Sequence, residues 1–326
     1  MLRASMTAVA RELDHAERRI GALLVIAAAT LWSTGGVGVK VAVAEPMVIA
    51  GLRSLFALAF MTVVLAIGLK KSGAGLAVVT ALLRRPLVWA AAASYALMVV
   101  CFVLAVRRTT AANAIFIQYT GPVYIAMLGG PLLGERVTRR DLFAIAGCLV
   151  GMALTFGGEL GGGRAAGNVL AIFSSFGFAG LPLLLRLDQK RLLAGDADDA
   201  VAARLAGHAP LVAMALGNAI AALVALPAIV VHPVTGDTAT RTYLVLAALG
   251  FFQIGLPYVL YATAVRRLRA LESSLLATIE PVLSPVWVVL ATGETPTPLA
   301  IAGGAMIVLS VAAQAVTHGV AASRRA

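Results

Sequence analysis

One carboxylate stands out for its surroundings. Glu280 lies near the middle of Ala270 to Glu294, ALESSLLATIEPVLSPVWVVLATGE, a segment apolar and long enough to cross a bilayer. A carboxylate at that depth costs about 2.5 to 3.5 kcal/mol on insertion scales, so it faces a cavity or a partner rather than lipid. Such a group can bind a substrate ammonium or a coupling proton; the alternative is that it only hydrogen-bonds a neighbouring helix. Pro281 follows at once, removing a backbone donor and kinking the helix that carries the acid. Ser273, Ala277, Glu280, Ser284 and Trp287 recur at three- and four-residue steps and share one helical face. That face is small, polar and aromatic, which predicts that it looks inward.

The elements that hold this face follow from composition. The 326 residues are 60% hydrophobic and 13% charged, too apolar for a soluble domain and too long for a single anchor. At about 20 apolar residues per crossing, ten spans are predicted at 20–44, 47–68, 86–106, 110–132, 139–157, 167–186, 207–231, 242–264, 270–292 and 298–317. The chain is also a duplication. Displaced by 159 residues, Arg107, Arg108, Ala111, Pro122, Val123, Gly134, Glu135 and Thr138 fall without a gap on Arg266, Arg267, Ala270, Pro281, Val282, Gly293, Glu294 and Thr297. A five-helix repeat enters the membrane the opposite way round the second time, so the halves are predicted to be inverted.

The net charge of +11 orients the protein rather than recruiting nucleic acid. With both termini in the cytoplasm, 20 Lys and Arg fall in inside tails and loops, against Arg107, Arg108, Arg164 and Arg241 outside. That bias is what the positive-inside rule predicts for a multi-pass protein of the cytoplasmic (inner) membrane. Residues 1–19 then form a cytoplasmic tail, 20–157 the first repeat, 158–166 a periplasmic linker, 167–317 the second repeat and 318–326 a cytoplasmic tail. The N-terminal tail is either a short interfacial helix or simply solvated, and no cleavable signal peptide is evident. The polar stretch around 186–206 reads as a cytoplasmic tether.

Both halves soften their first helix. Trp32, Ser33, Thr34, Gly35, Gly36 and Gly38 lie in span one; Ser174, Ser175, Gly177, Gly180 and Pro182 lie in its counterpart. Paired interruptions of this kind point to a substrate site in transporters built from inverted repeats, although small residues also simply let helices approach. Gly35, Gly36, Pro122, Pro182 and Pro281 are therefore the candidate hinges. Arg53 is about a turn and a half inside span two and could snorkel to the interface. Trp32, Gln118, Tyr119, Gln253 and Trp287 are candidates for a cavity wall, with Ser284 beside Glu280. Glu135 and Glu294 each end a span in a Gly-Glu pair and read as interfacial. Gly147, Gly151, Gly303 and Gly304 suit helix packing or homodimer contacts.

Other chemistries lack support. No GxxxxGK[ST] loop or HExxH motif occurs, and His15, His208, His232 and His318 lie in tails or near helix ends. Cys101 and Cys148 fall inside spans, where a small apolar role is expected. No cofactor, metal site or catalytic residue is expected.

The repeated pattern of Ala111, Pro122, Val123, Gly134 and Glu135, echoed by Ala270, Pro281, Val282, Gly293 and Glu294, resembles the EamA repeat of the drug/metabolite transporter superfamily. Leu31-Trp32-Ser33, Lys40 and Arg53 are similar to the first-repeat pattern; the second repeat departs from it in its first two helices. The resemblance covers roughly residues 20 to 317. It implies an all-α basket of ten helices around a central cavity, open alternately to either side, that exports amino acids or related metabolites. Aromatic amino acid exporters of the YddG kind and threonine/homoserine exporters are the nearest analogies. The expected function is a secondary transporter exporting small polar or zwitterionic metabolites, with a proton as the candidate coupling ion. Import of a small metabolite or sugar-type substrate is the alternative, and a channel or membrane-embedded enzyme is a remote one.

Overall fold

The computed structural model describes residues 2–35, 42–157, 165–195, 198–292 and 297–324, and among them all regular structure is helical. The first half contains α1 (Leu2–Trp32), α2 (Pro46–Lys71), α3 (Leu76–Leu83), α4 (Pro86–Val106), α5 (Ala111–Gln118), α6 (Gly121–Leu133) and α7 (Arg139–Phe156). The second contains α8 (Ala165–Leu193), α9 (Asp199–Val231), α10 (Ala239–Ala248), a π-helical turn (Leu249–Gly255), α11 (Leu256–Ala264), α12 (Ala270–Ala277), α13 (Ile279–Thr292) and α14 (Pro298–Arg324). Among the described residues, five helices are long and apolar enough to cross a membrane: α2, α4, α8, α9 and the composite Ala239–Ala264. Their outer faces carry exposed Leu223, Leu244 and Phe252, the surface expected towards lipid.

Local chemistry sets the helix ends. Glu45 accepts from the Met47 and Val48 amides at 2.7 and 3.1 Å, and Pro46 occupies the first turn of α2, where its missing donor costs nothing. Gly134 closes α6 with φ +63°, a left-handed conformation that glycine adopts freely. Its amide bonds the Gly130 carbonyl and that of Glu135 bonds Gly129, which fixes the direction of Glu135. Thr138 and Asp141 then form a reciprocal capping box at the start of α7.

The two halves exchange partners. Helix α1 packs on α11 as its counterpart α8 packs on α4; α2 meets the π turn as α9 meets α4; α5 and α6 lie on α8 as α12 and α13 lie on α1. Two further pairs, α2 with α9 and α7 with α14, join counterparts directly. The last of these explains the small residues of spans five and ten, because a Cβ on Gly151 would come within 2.7 Å of the Gly303 carbonyl oxygen. These glycines serve contacts within one chain.

Several expectations need correction. Residues 186–206 are not a tether: α8 runs to Leu193 and α9 begins at Asp199, leaving a short connection. Of the two readings of the N-terminal tail the helical one holds, with the addition that this helix, α1, is continuous from Leu2 to Trp32. Helix α8 passes through Pro182 without interruption. Its small residues allow close approach to α4, since a Cβ on Gly177 would lie 2.7 Å from the Met98 backbone nitrogen. Gly36, Gly38, Lys40, Gly293, Glu294 and most of the 158–166 linker lie outside the described residues.

Charged groups gather at one end of the bundle. Glu135, only 11% exposed at its side chain, faces Arg186 at 3.3 Å, Lys190 at 3.7 Å and Arg269 at 3.8 Å. Arg85 pairs with buried Asp188 at 2.8 Å, Arg18 with Glu272 at 3.7 Å, and Arg267 with Glu17. The sequence reading of Glu135 as a helix-end residue is thus sharpened: it ties α6 to α8 and to the α11–α12 connection.

Candidate functional site

Two helix breaks, one per half, build the centre of the site. Helix α5 gives way to α6 at Tyr119–Thr120, and α12 gives way to α13 at Thr278. Tyr119 and Thr278 are 159 residues apart, the period of the duplication. Each break sits just before a proline, Pro122 or Pro281, whose ring crowds the carbonyl four residues earlier and whose nitrogen cannot bond it. For Pro281 that carbonyl is Ala277. It is not left unpaired, because the Tyr119 hydroxyl lies 3.1 Å away as donor. The same hydroxyl is 2.7 Å from the Glu280 carboxylate. The break in one half therefore supplies the side chain that binds the break in the other.

The remaining polar face of α12 and α13 also turns inward. Ser273 is 3.3 Å from the Tyr261 hydroxyl. Ser284 lies 3.4 Å from the Ser33 carbonyl oxygen, and Trp287 donates through Nε1 to the Ser33 hydroxyl at 2.7 Å. Ser33 sits in the turn that ends α1, so α13 is docked on the softened stretch of span one. Ser284 and Trp287 thus both contact Ser33.

A cavity of about 50 Å³ opens beside Glu280. Helices from both halves line it. Its polar wall is formed by Arg53, Gln118, Tyr119, Gln253, Glu280 and Trp32, and its apolar wall includes Met98, Val99, Phe102, Phe178, Ile254 and Tyr258. Tyr258 stacks against Trp32 with ring centroids 4.8 Å apart, and Tyr119 meets Phe178 edge-on at 5.1 Å. Gln118 donates to Ser174 at 3.1 Å, and Ser174 donates to the Met98 carbonyl at 3.0 Å, fastening α5 through α8 to α4.

Sequence reasoning missed the depth of Arg53. It does not snorkel: it is 3% exposed, lines the cavity, and donates from Nη1 to Gln253 Oε1 at 3.3 Å. Gln253 in turn donates to the Trp32 carbonyl at 3.3 Å. The π turn that carries Gln253 was also not foreseen; such bulges gather at functional sites because they redirect side chains and free backbone groups. The Gly250…Gly255 pair around Phe251, Phe252 and Gln253 was its available signal. Asn218, buried on α9 and donating to the Tyr95 hydroxyl at 3.0 Å, had no signal beyond its polarity within an apolar span.

The described residues form a helical bundle with a partly polar cavity lined from both halves. The EamA-like transporter family matches residues 19–157 and 200–314, one stretch in each half, and the chain belongs to that family. A solved structure titled only "Crystal structure of protein" shares the fold, with TM-score 0.67 at 22% identity, over 92% of this chain and 98% of that one. No curated protein matches the chain.

Proposed function

We propose that the protein exports a small metabolite, of which amino acids are the leading class, from the cytoplasm by alternating access. In this reading the chain crosses the inner membrane ten times, as two inverted five-helix repeats with both termini in the cytoplasm. The ion-paired end of the bundle then faces the cytoplasm, in keeping with the distribution of basic residues. Transport needs neither a cofactor nor enzymatic chemistry.

The observation that carries the proposal is Glu280, held at 2.7 Å by Tyr119 on the wall of a cavity to which both halves contribute. A carboxylate there can take a substrate ammonium or a proton, and the two helix breaks give its surroundings somewhere to move. Tyr119 has one hydroxyl proton and two acceptors in reach. When Glu280 is ionised, the hydroxyl donates to it. When Glu280 is protonated, the acid donates to Tyr119, whose hydroxyl is then released to Ala277. Proton occupancy at Glu280 is thereby written into the backbone of the α12–α13 break.

The test is mass spectrometry of spent medium from cells overproducing the wild type or Glu280→Gln, against an empty vector. Selective enrichment of one or a few compounds by the wild type, lost in Glu280→Gln at equal membrane abundance, is expected. Depletion from the medium would instead reverse the direction and favour import. Equal enrichment by both proteins would sink the role given to Glu280.

A further inference from the structure

We infer that Arg53, Gln253 and Trp32 form an anchoring site for the carboxylate of the transported molecule, separate from the Glu280 subsite. The inference rests on the cavity being the transport site and adds the chemistry its substrate must carry.

Among the described residues, Arg53 is a buried guanidinium without a counter-charge. None of the ion pairs among the described residues includes it, and its only side-chain hydrogen bond goes to the neutral amide of Gln253. Its Nε has no partner. Trp32 Nε1, on another residue that lines the cavity and is 7% exposed, is a second buried donor without a partner among the described residues. Gln253 joins the two residues, accepting from Arg53 and donating to the Trp32 carbonyl, and all three line the same cavity.

An unpaired charge in a low-dielectric interior is costly, and so is each orphaned donor. Removing one partner from a buried pair typically leaves this condition. The missing partner must be an anionic acceptor, and it must be able to leave, because no carboxylate among the described residues pairs with Arg53. A planar carboxylate suits a guanidinium and a neighbouring N–H better than a single-point acceptor does. The arrangement has no counterpart in the second half: the residue 159 positions beyond Arg53 is Val212. A symmetric scaffold thus holds an asymmetric charge. The walls adjoining it, from Met98, Val99, Phe102 and Ile254, are apolar, so the body attached to the carboxylate is apolar too. Glu280 lines the same cavity and could take an ammonium, though the Arg53 site does not require one.

The experiment uses the purified full-length chain in detergent, with thermal stability followed during titration with L-phenylalanine, L-phenylalaninamide and 3-phenylpropionate. These share one apolar body and differ in carboxylate and ammonium. Both carboxylates are expected to stabilise the wild type at concentrations at least about tenfold lower than the amide, as befits a charge-assisted contact. Arg53→Gln removes that preference, whereas Arg53→Lys keeps the charge and retains part of it; a monodisperse elution profile checks that each variant is folded. Equal potency of the amide in the wild type, no response to either carboxylate, or an undiminished preference in folded Arg53→Gln would each overturn the inference. Counterflow of the same compounds in proteoliposomes separates it from the transport reading. Transport indifferent to the carboxylate leaves the exporter standing and removes the anchor. Carboxylate-selective binding without counterflow does the reverse.

Discussion

The hydroxyl of Tyr119 lies 2.7 Å from the Glu280 carboxylate and 3.1 Å from the Ala277 carbonyl, so one side chain from the first repeat serves both the acid and the helix break of the second. Removing the hydroxyl leaves Glu280 and the carbonyl without this donor. Tyr119→Phe is expected to reach the membrane normally yet lower transport by about tenfold, the equivalent of one charge-assisted hydrogen bond. Uptake or efflux assays at matched protein abundance check this, and wild-type rates would show that the contact is ornamental.

Pro281 creates the carbonyl that Tyr119 occupies. Pro281→Ala restores an amide able to close the helix onto Ala277, in competition with the tyrosine. Stability is expected to hold or to rise, by at most about 3 kcal/mol, while transport falls. A variant that is both more stable and less active is the signature sought, and thermal melting paired with transport reads it. Loss of stability would mean that the break is required for packing.

Glu135 stands among three cations at the ion-paired end of the bundle. Glu135→Gln leaves Arg186, Lys190 and Arg269 facing one another with less compensation, and is expected to cost on the order of 1 to 3 kcal/mol. Because these pairs tie α8 to the α6–α7 and α11–α12 connections, their loss should also make that end easier to open. Thiol labelling of a cysteine introduced at Gln189, beside Arg186, should be faster in Glu135→Gln than in the parent.

The crossing of α7 and α14 depends on the absence of side chains at Gly151 and Gly303. Gly151→Leu forces the helices apart against a backbone carbonyl that cannot rotate away, at a cost of about 1 to 3 kcal/mol or more. Since the pair lies away from the cavity, binding by any protein that still folds should be unchanged. Melting temperature and ligand titration on the same sample separate the two effects.

Much of this was legible in the sequence because duplication supplies its own alignment. The offset that places Pro122 on Pro281 also places the α5–α6 break on the α12–α13 break, and the three- and four-residue steps of Ser273, Ala277, Glu280 and Ser284 gave the inward face. Arg53 was illegible for a physical reason: a long cation near a helix end can reach water or a cavity equally well, and only the position of α2 against the π turn decides. Pro182 misled because the same glycines and serines that weaken a helix also permit it to lie close to another, and the extensive contact with α4 holds α8 straight through the proline. The π turn depends on tertiary packing, which no periodicity records.

The exchange of partners between halves has a consequence for biogenesis. Trp32 and Gln253 touch across 221 residues of chain, Arg53 and Gln253 across 200, and Tyr119 and Glu280 across 161. Contacts so remote in sequence form late, since the intervening chain must be synthesised and its loops closed before they can reward it. Helix α1 therefore emerges and waits without its partners until α11 and α12 follow it into the bilayer. A nascent chain arrested before residue 280 holds Arg53 and Trp32 in the membrane with no cavity to receive them. Such a chain would present unsatisfied polar groups to the surveillance machinery of the membrane, whereas completion of the chain removes that mark at the moment the cavity is assembled.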